Sequence, residues 1–135
     1  MSESLAARRA HLLSTRALID ANGGGALHYH DGAMPNTPSD APPSAPLAIV
    51  VLAPVSFALH AAEASMSLVE VVGNAALSGQ PTWARFVDGA GTGVLDRTVG
   101  PPGSGAQMIL TDGQPVPSTQ MYTGGEITVN YTLTA

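Results

Sequence analysis

Apolar positions in residues 4–21 recur at helical spacing. Leu5, Leu12 and Ile19 fall seven residues apart, with Leu13 and Ala17 alongside, and form one stripe. Ser2 or Ser4 can cap this helix, and Glu3 suits the positive end of its dipole. Asn22-Gly23-Gly24-Gly25 ends it, because Asn and Gly tolerate the left-handed conformation found there. From residue 26 the period becomes two. Ala26–His30 puts Leu27 and Tyr29 on one face and His28 and His30 on the other. Asp31-Gly32 turns the chain into a Pro-rich extended loop over residues 33–46.

Further strands are expected at Leu47–Ala53, Val55–Leu59, Met66–Val72, Thr82–Val87, Val94–Val99 and Gln107–Leu110. The loops between them carry Gly, Pro or Asn, including Gly73–Pro81, the Gly-rich turn Asp88–Gly93, Gly100–Gly105 and Asp112-Gly113. The cleanest alternation is the last. In Glu126–Thr134, Ile127, Val129, Tyr131 and Leu133 face one way and Thr128, Asn130, Thr132 and Thr134 the other. About eight short strands at this spacing predict an all-β fold, a single β-sandwich or jelly-roll-like domain with a short N-terminal α-helix. The organisation expected is a helical arm over residues 1–22 and a β-sandwich over 23–135.

Composition sharpens this picture. Gly and Pro number 15 and 11, too many for a helical bundle. Only six aromatics occur, Tyr29, Phe57, Trp83, Phe86, Tyr122 and Tyr131, so the core should be largely aliphatic. Cysteine is absent, which excludes disulfides and thiolate metal sites. The net charge is −5, and residues 1–21 carry +1 through Arg8, Arg9 and Arg16. The remaining −6 repels phosphate backbones, so nucleic acid is not an expected partner. The most apolar stretch, Pro46–Ala62, is interrupted by Pro54, Ser56 and His60 and falls short of the roughly 20 apolar residues of a membrane span. Arg8-Arg9 suggests a twin-Arg signal, but Arg16 and Asp20 break what should be its apolar region.

Candidate chemistry is sparse. His28 and His30 stand two apart on one strand face, and Asp31 could add an oxygen, so the three can be written as a partial metal site. They are too few to close a coordination shell alone, though a symmetric oligomer could complete it. The competing reading is a solvated polar strand face. Asp88-Gly89-Ala90-Gly91-Thr92-Gly93 has glycines, but neither a lysine nor a helix follows, so it reads as a hairpin turn. Ser104 lacks a nucleophile-elbow context, and no local motif ties the four histidines (11, 28, 30 and 60) to a nucleophile. Asn130-Tyr131-Thr132 matches a glycosylation sequon inside the best strand. The chain is expected to be non-enzymatic, with no cofactor.

The order of segments carries a resemblance. Leu18-Ile19-Asp20-Ala21 before a Gly run, then Leu27-His28-Tyr29-His30-Asp31-Gly32 and the Pro-rich loop, resembles the opening of small structural proteins of tailed bacteriophages. The stretch Trp83-Ala84-Arg85-Phe86-Val87-Asp88-Gly89-Ala90-Gly91-Thr92 resembles their aromatic strand and Gly turn, and Val94–Gly100 the returning strand. Gly124–Ala135 resembles their terminal strand. The resemblance spans most of the chain and departs from the pattern in its richer Pro and in His28-Tyr29-His30.

It implies a virion component assembled in the bacterial host cytoplasm. A capsid cement or decoration protein is the first reading; a tail or fibre accessory protein is the second, and a metal- or glycan-binding module a lesser one. The implied partners are the major capsid protein or other virion subunits, with further copies of the chain in a homo-oligomer. Within that reading the helix is an expected interface. Leu5, Leu12 and Ile19 supply its apolar stripe, Arg8, Arg9 and Arg16 orient it, and the Gly triplet leaves it free to swing onto a neighbour.

Overall fold

A computed structural model describes residues 3–110, 121 and 123–135. Ser2, as an alternative cap, and the Asp112-Gly113 turn lie outside the described residues. Helix α1 spans Leu5–Asp20. Ser4 is its N-cap, and its hydroxyl accepts from the Ala7 amide at 3.1 Å.

Among the described residues ten strands follow: β1 Ala26–His30, β2 Ala48–Val51, β3 Phe57–Leu59, β4 Ser65–Leu68, β5 Val71–Asn74, β6 Trp83–Val87, β7 Gly93–Gly100, β8 Met108–Ile109, β9 Glu126–Val129 and β10 Thr132–Thr134. The chain is therefore a β-rich domain with one helix, in curled sheets. Five strands form one sheet in the order β2-β1-β6-β7-β8, with β8 parallel to β7. Three form another in the order β10-β4-β3, and β5 pairs with β9.

Two predicted strands prove to be four. Met66–Val72 divides into β4 and β5, and Glu126–Thr134 divides into β9 and β10. The two breaks lie opposite each other. Ser67 pairs with Thr132 and Val71 with Val129, so three residues on one side oppose two on the other. This extra residue is a β-bulge that bends both strands, allowing one ribbon to leave one sheet and enter another. The alternation survives the bend, because Ile127, Val129 and Leu133 all remain buried. An Ala48–Ala75 bridge sets β5 beside the edge strand β2.

The core gathers Leu27, Tyr29, Val50, Phe57, Met66, Phe86, Ile127, Val129 and Leu133 from all three sheets. Leu12 and Ile19 of the helix belong to the same cluster. The helix lies along β3, an edge strand whose outer backbone groups need partners. Asp20 accepts from the Ser56 amide at 3.1 Å, Arg16 donates to the Phe57 carbonyl at 3.2 Å, and Arg9 donates to the carbonyls of His60 and Glu63.

These contacts correct the expectation of a hinged arm over residues 1–22. The Gly run also differs from a flexible linker. Asn22, Gly23 and Gly24 hold positive φ, and a Cβ on Gly25 would meet the Ile19 and Val87 carbonyls. The junction is fastened to the β6–β7 turn by the Gly89 amide on the Ala21 carbonyl (2.9 Å) and by Asn22 Nδ2 on Asp88 (2.9 Å). Glycine serves here for left-handed backbone at Gly23 and Gly24 and for close approach at Gly25, rather than for freedom.

Candidate functional site

The five-stranded sheet has a core face and an outer face. Pairing of His30 with Trp83, His28 with Arg85, and Arg85 with Asp96 places these five side chains together on the outer face. The Pro-rich loop folds back over them. Arg85 Nε and Nη2 donate to the two Asp96 carboxylate oxygens at 2.7 and 3.0 Å, and Nη1 and Nη2 reach the loop carbonyls of Asp40 (2.6 Å) and Thr37 (3.2 Å). The pair is almost fully buried, and its two-pronged geometry with added carbonyls is what a buried guanidinium requires. The Arg85 guanidinium also lies 5.3 Å from the Trp83 ring centre.

His30 stacks on Trp83 with ring centres 4.4 Å apart and planes 13° from parallel. It is 1% exposed, and neither ring nitrogen makes a hydrogen bond of good geometry among the described residues, although the Ser44 backbone faces the ring. Burial pushes its pKa down, and His28 and Arg85 push it further; the Ser44 backbone and Asp31 oppose this. His28 is half-buried, and its pKa is lowered by burial and then by Arg85. The buried ring of His30 corrects the reading of this strand face as solvated. The fold chooses it because Trp83 stands directly across the ladder, and a strand-alternation pattern carries no information on what a loop will cover.

This packing gives Asp31 partners other than the two histidines. The His28 and His30 rings lie 6.3 Å apart. Asp31 instead accepts from the Ser44 hydroxyl at 2.9 Å, and its carbonyl accepts from Trp83 Nε1 at 3.1 Å. No group of three or more His, Asp or Glu positioned for a metal occurs among the described residues. The helix residues are likewise placed. Leu12 and Ile19 are in the core, Arg9 and Arg16 hold carbonyls of their own chain, and Leu5 is exposed. Arg8 is half-buried, with its Nε buried and unpartnered among the described residues. Leu12 and Ile19 of the stripe therefore face their own sheets, and Leu5 does not.

A second polar array went unread in the sequence. His60 Nε2 lies 2.6 Å from Ser67 Oγ and Nδ1 2.8 Å from Ser65 Oγ, which donates to Glu63 at 3.2 Å; Ser67 Oγ lies 3.2 Å from Thr132 Oγ1. The spacing 60-63-65-67 was its only signal, and it depends on the 60–64 turn, where Ala62 takes φ +60°. A hydroxyl against an imidazole is the start of nucleophilic catalysis. Ser67, however, lies on the central strand of its sheet, whose amides serve the ladders with β3 and β10 rather than an oxyanion. The array ties the turn to the sheet.

The outer face continues past the loop as an apolar row. Val51 is 73% exposed, Val72 55% and Ile49 50%. The Ala48–Ala75 bridge and the contact of Gly73 with Val50 bring β5 alongside β2, so Val51 and Val72 are neighbours. No helix among the described residues is long and apolar enough to cross a membrane. Comparison of the chain with protein families, curated proteins and solved structures gave no match.

Proposed function

We propose that this chain is a non-enzymatic structural subunit of a tailed-phage virion that acts through its surfaces, a capsid cement or decoration protein by first preference. In this reading the curled sheets form a jelly-roll-like sandwich. The observation that carries the proposal is the row Ile49, Val51 and Val72, three aliphatic side chains left open on a sheet face that the Pro-rich loop covers only around Trp83 and Arg85. Contiguous exposed apolar side chains mark association surfaces. The order of segments along the chain, with its resemblance to small virion proteins, supplies the partner: the major capsid protein or another virion subunit.

The test is Val51→Lys with Val72→Lys. Both positions are exposed, so the variant should fold as the wild type does but be lost from purified particles. Electron microscopy of particles labelled on this subunit then locates it. Label on the shell supports a cement protein, and label on the tail supports the accessory reading. Undiminished incorporation of the variant, or absence of the wild type from particles, overturns the proposal.

A further inference from the structure

We propose that His30 is a proton-operated latch, and that charging it releases the 31–46 loop from the outer face of the five-stranded sheet. The geometry is of a ring closed in on every side. Trp83 of β6 stacks beneath it, the strand continues into Asp31, and the loop returns with its Ser44 backbone facing the ring. The charged and titratable groups around it are His28 and Asp31 from its own strand and Arg85 from β6, with Asp96 of β7 and Asp40 of the loop held beyond Arg85. Asp96 is engaged by the Arg85 guanidinium, and Asp31 by Ser44. Neither carboxylate hydrogen-bonds the imidazole, so a proton on His30 would create a buried cation with no bonded counter-charge.

The loop is the part able to yield. Three sets of contacts hold it down: Arg85 on the Thr37 and Asp40 carbonyls, Ser44 on Asp31, and Trp83 Nε1 and Thr82 Oγ1 on the carbonyls of Asp31 and Gly32. Its internal support is one reciprocal turn, with Asp40 N on the Thr37 carbonyl and Thr37 N on the Asp40 carboxylate. Opening leaves the Arg85–Asp96 pair intact and gives His30 water as a partner. The ladder of β1 with β6 need not break.

The sign follows from linkage. The ring is harder to protonate when the loop is closed than when water reaches it, because burial is the first cause of its lowered pKa. Above the open-state pKa both states are neutral and the latch holds. Below it the open state binds the proton and the closed state does not, so the open fraction rises by up to about tenfold per pH unit until the closed ring also titrates. Opening would uncover Trp83, the only tryptophan in the chain, on the sheet face that carries the apolar row.

Hydrogen exchange of the 33–46 amides, corrected for the intrinsic pH dependence, tests this between about pH 8 and pH 5.5. In the wild type, exchange in the loop should rise as pH falls while the β6 amides stay protected. His30→Phe keeps an aromatic ring on Trp83 and removes the proton, so its loop exchange should be flat. A flat wild-type profile overturns the proposal, as does a His30→Phe variant that keeps the wild-type response. If that variant does not fold, the imidazole resonances of wild-type His30 decide. A ring that titrates near pH 6.5 while the loop stays protected overturns the latch; one that titrates together with loop opening supports it.

Discussion

Removing the N-terminal helix should unfold the protein rather than free a sandwich from an arm. Leu12 and Ile19 are buried in the common core, and burying each is worth about 1.5–3 kcal/mol, or about 3–6 together. The four hydrogen bonds that join Asp20, Arg16 and Arg9 to the β3 edge and the following turn add about 0.5–1.5 kcal/mol each, roughly 2–6 in all. The combined loss, about 5–12 kcal/mol, matches the whole stability of an ordinary domain, about 5–15 kcal/mol. A gentler version separates the core role from a docking role. Ile19→Ala should cost about 2–5 kcal/mol. Leu18→Ala, one residue away but 60% exposed, should stay within about 0.5 kcal/mol. Urea unfolding followed by Trp83 fluorescence reads both. A chain lacking residues 1–21 with an unchanged midpoint, or an Ile19→Ala variant as stable as Leu18→Ala, would refute the packing argument and restore the arm.

Asp96→Ala should cost about 3–5 kcal/mol, because it strands the buried Arg85 charge, and Arg85→Met in the same chain should recover much of that loss in urea titrations. Gly89→Ala should lower the thermal midpoint although the φ of Gly89 is not left-handed, since its Cβ would overlap the Asn22 carbonyl at the helix–hairpin junction; calorimetry showing no change would remove that contact as a cause. Asp88→Ala should loosen the same junction, detected as faster exchange of the Ala90 and Thr92 amides that its carboxylate accepts from.

Much of the fold was legible because local rules and packing agree. The first strand has its predicted bounds, Ala26–His30, and the β6–β7 hairpin lies where Trp83 and the Asp88–Gly93 turn placed it. Ser4 caps the helix as one of the two predicted serines. What failed to show in sequence was each feature decided by a distant partner. The bulge between Ser67 and Val71 is invisible to alternation, because two residues that keep their phase can still belong to different sheets. The Gly triplet composes a linker on paper and is a packed corner in space, since only the β6–β7 turn reveals what Gly25 and Gly89 must approach. His30 was read by the polarity of its strand face, but the 33–46 loop decides its burial. The His60 array depends on a turn at Ala62 that composition does not announce.

The bent ribbon has a consequence for synthesis in the cell. Residues 126–134 supply the partner for β5 and for β4 at once, and among the described residues β4 is the only neighbour of β3 in its sheet. A nascent chain can assemble β1, β2, β6 and β7 as soon as residue 100 clears the ribosome, but the Met66, Phe57 and Val50 side chains stay uncovered on one flank until the final ribbon strand emerges. Folding thus waits on the translation of residues 126–134. A ribosome stalled before codon 126 would hold a half-built sheet with an open, sticky edge, a natural client for a chaperone.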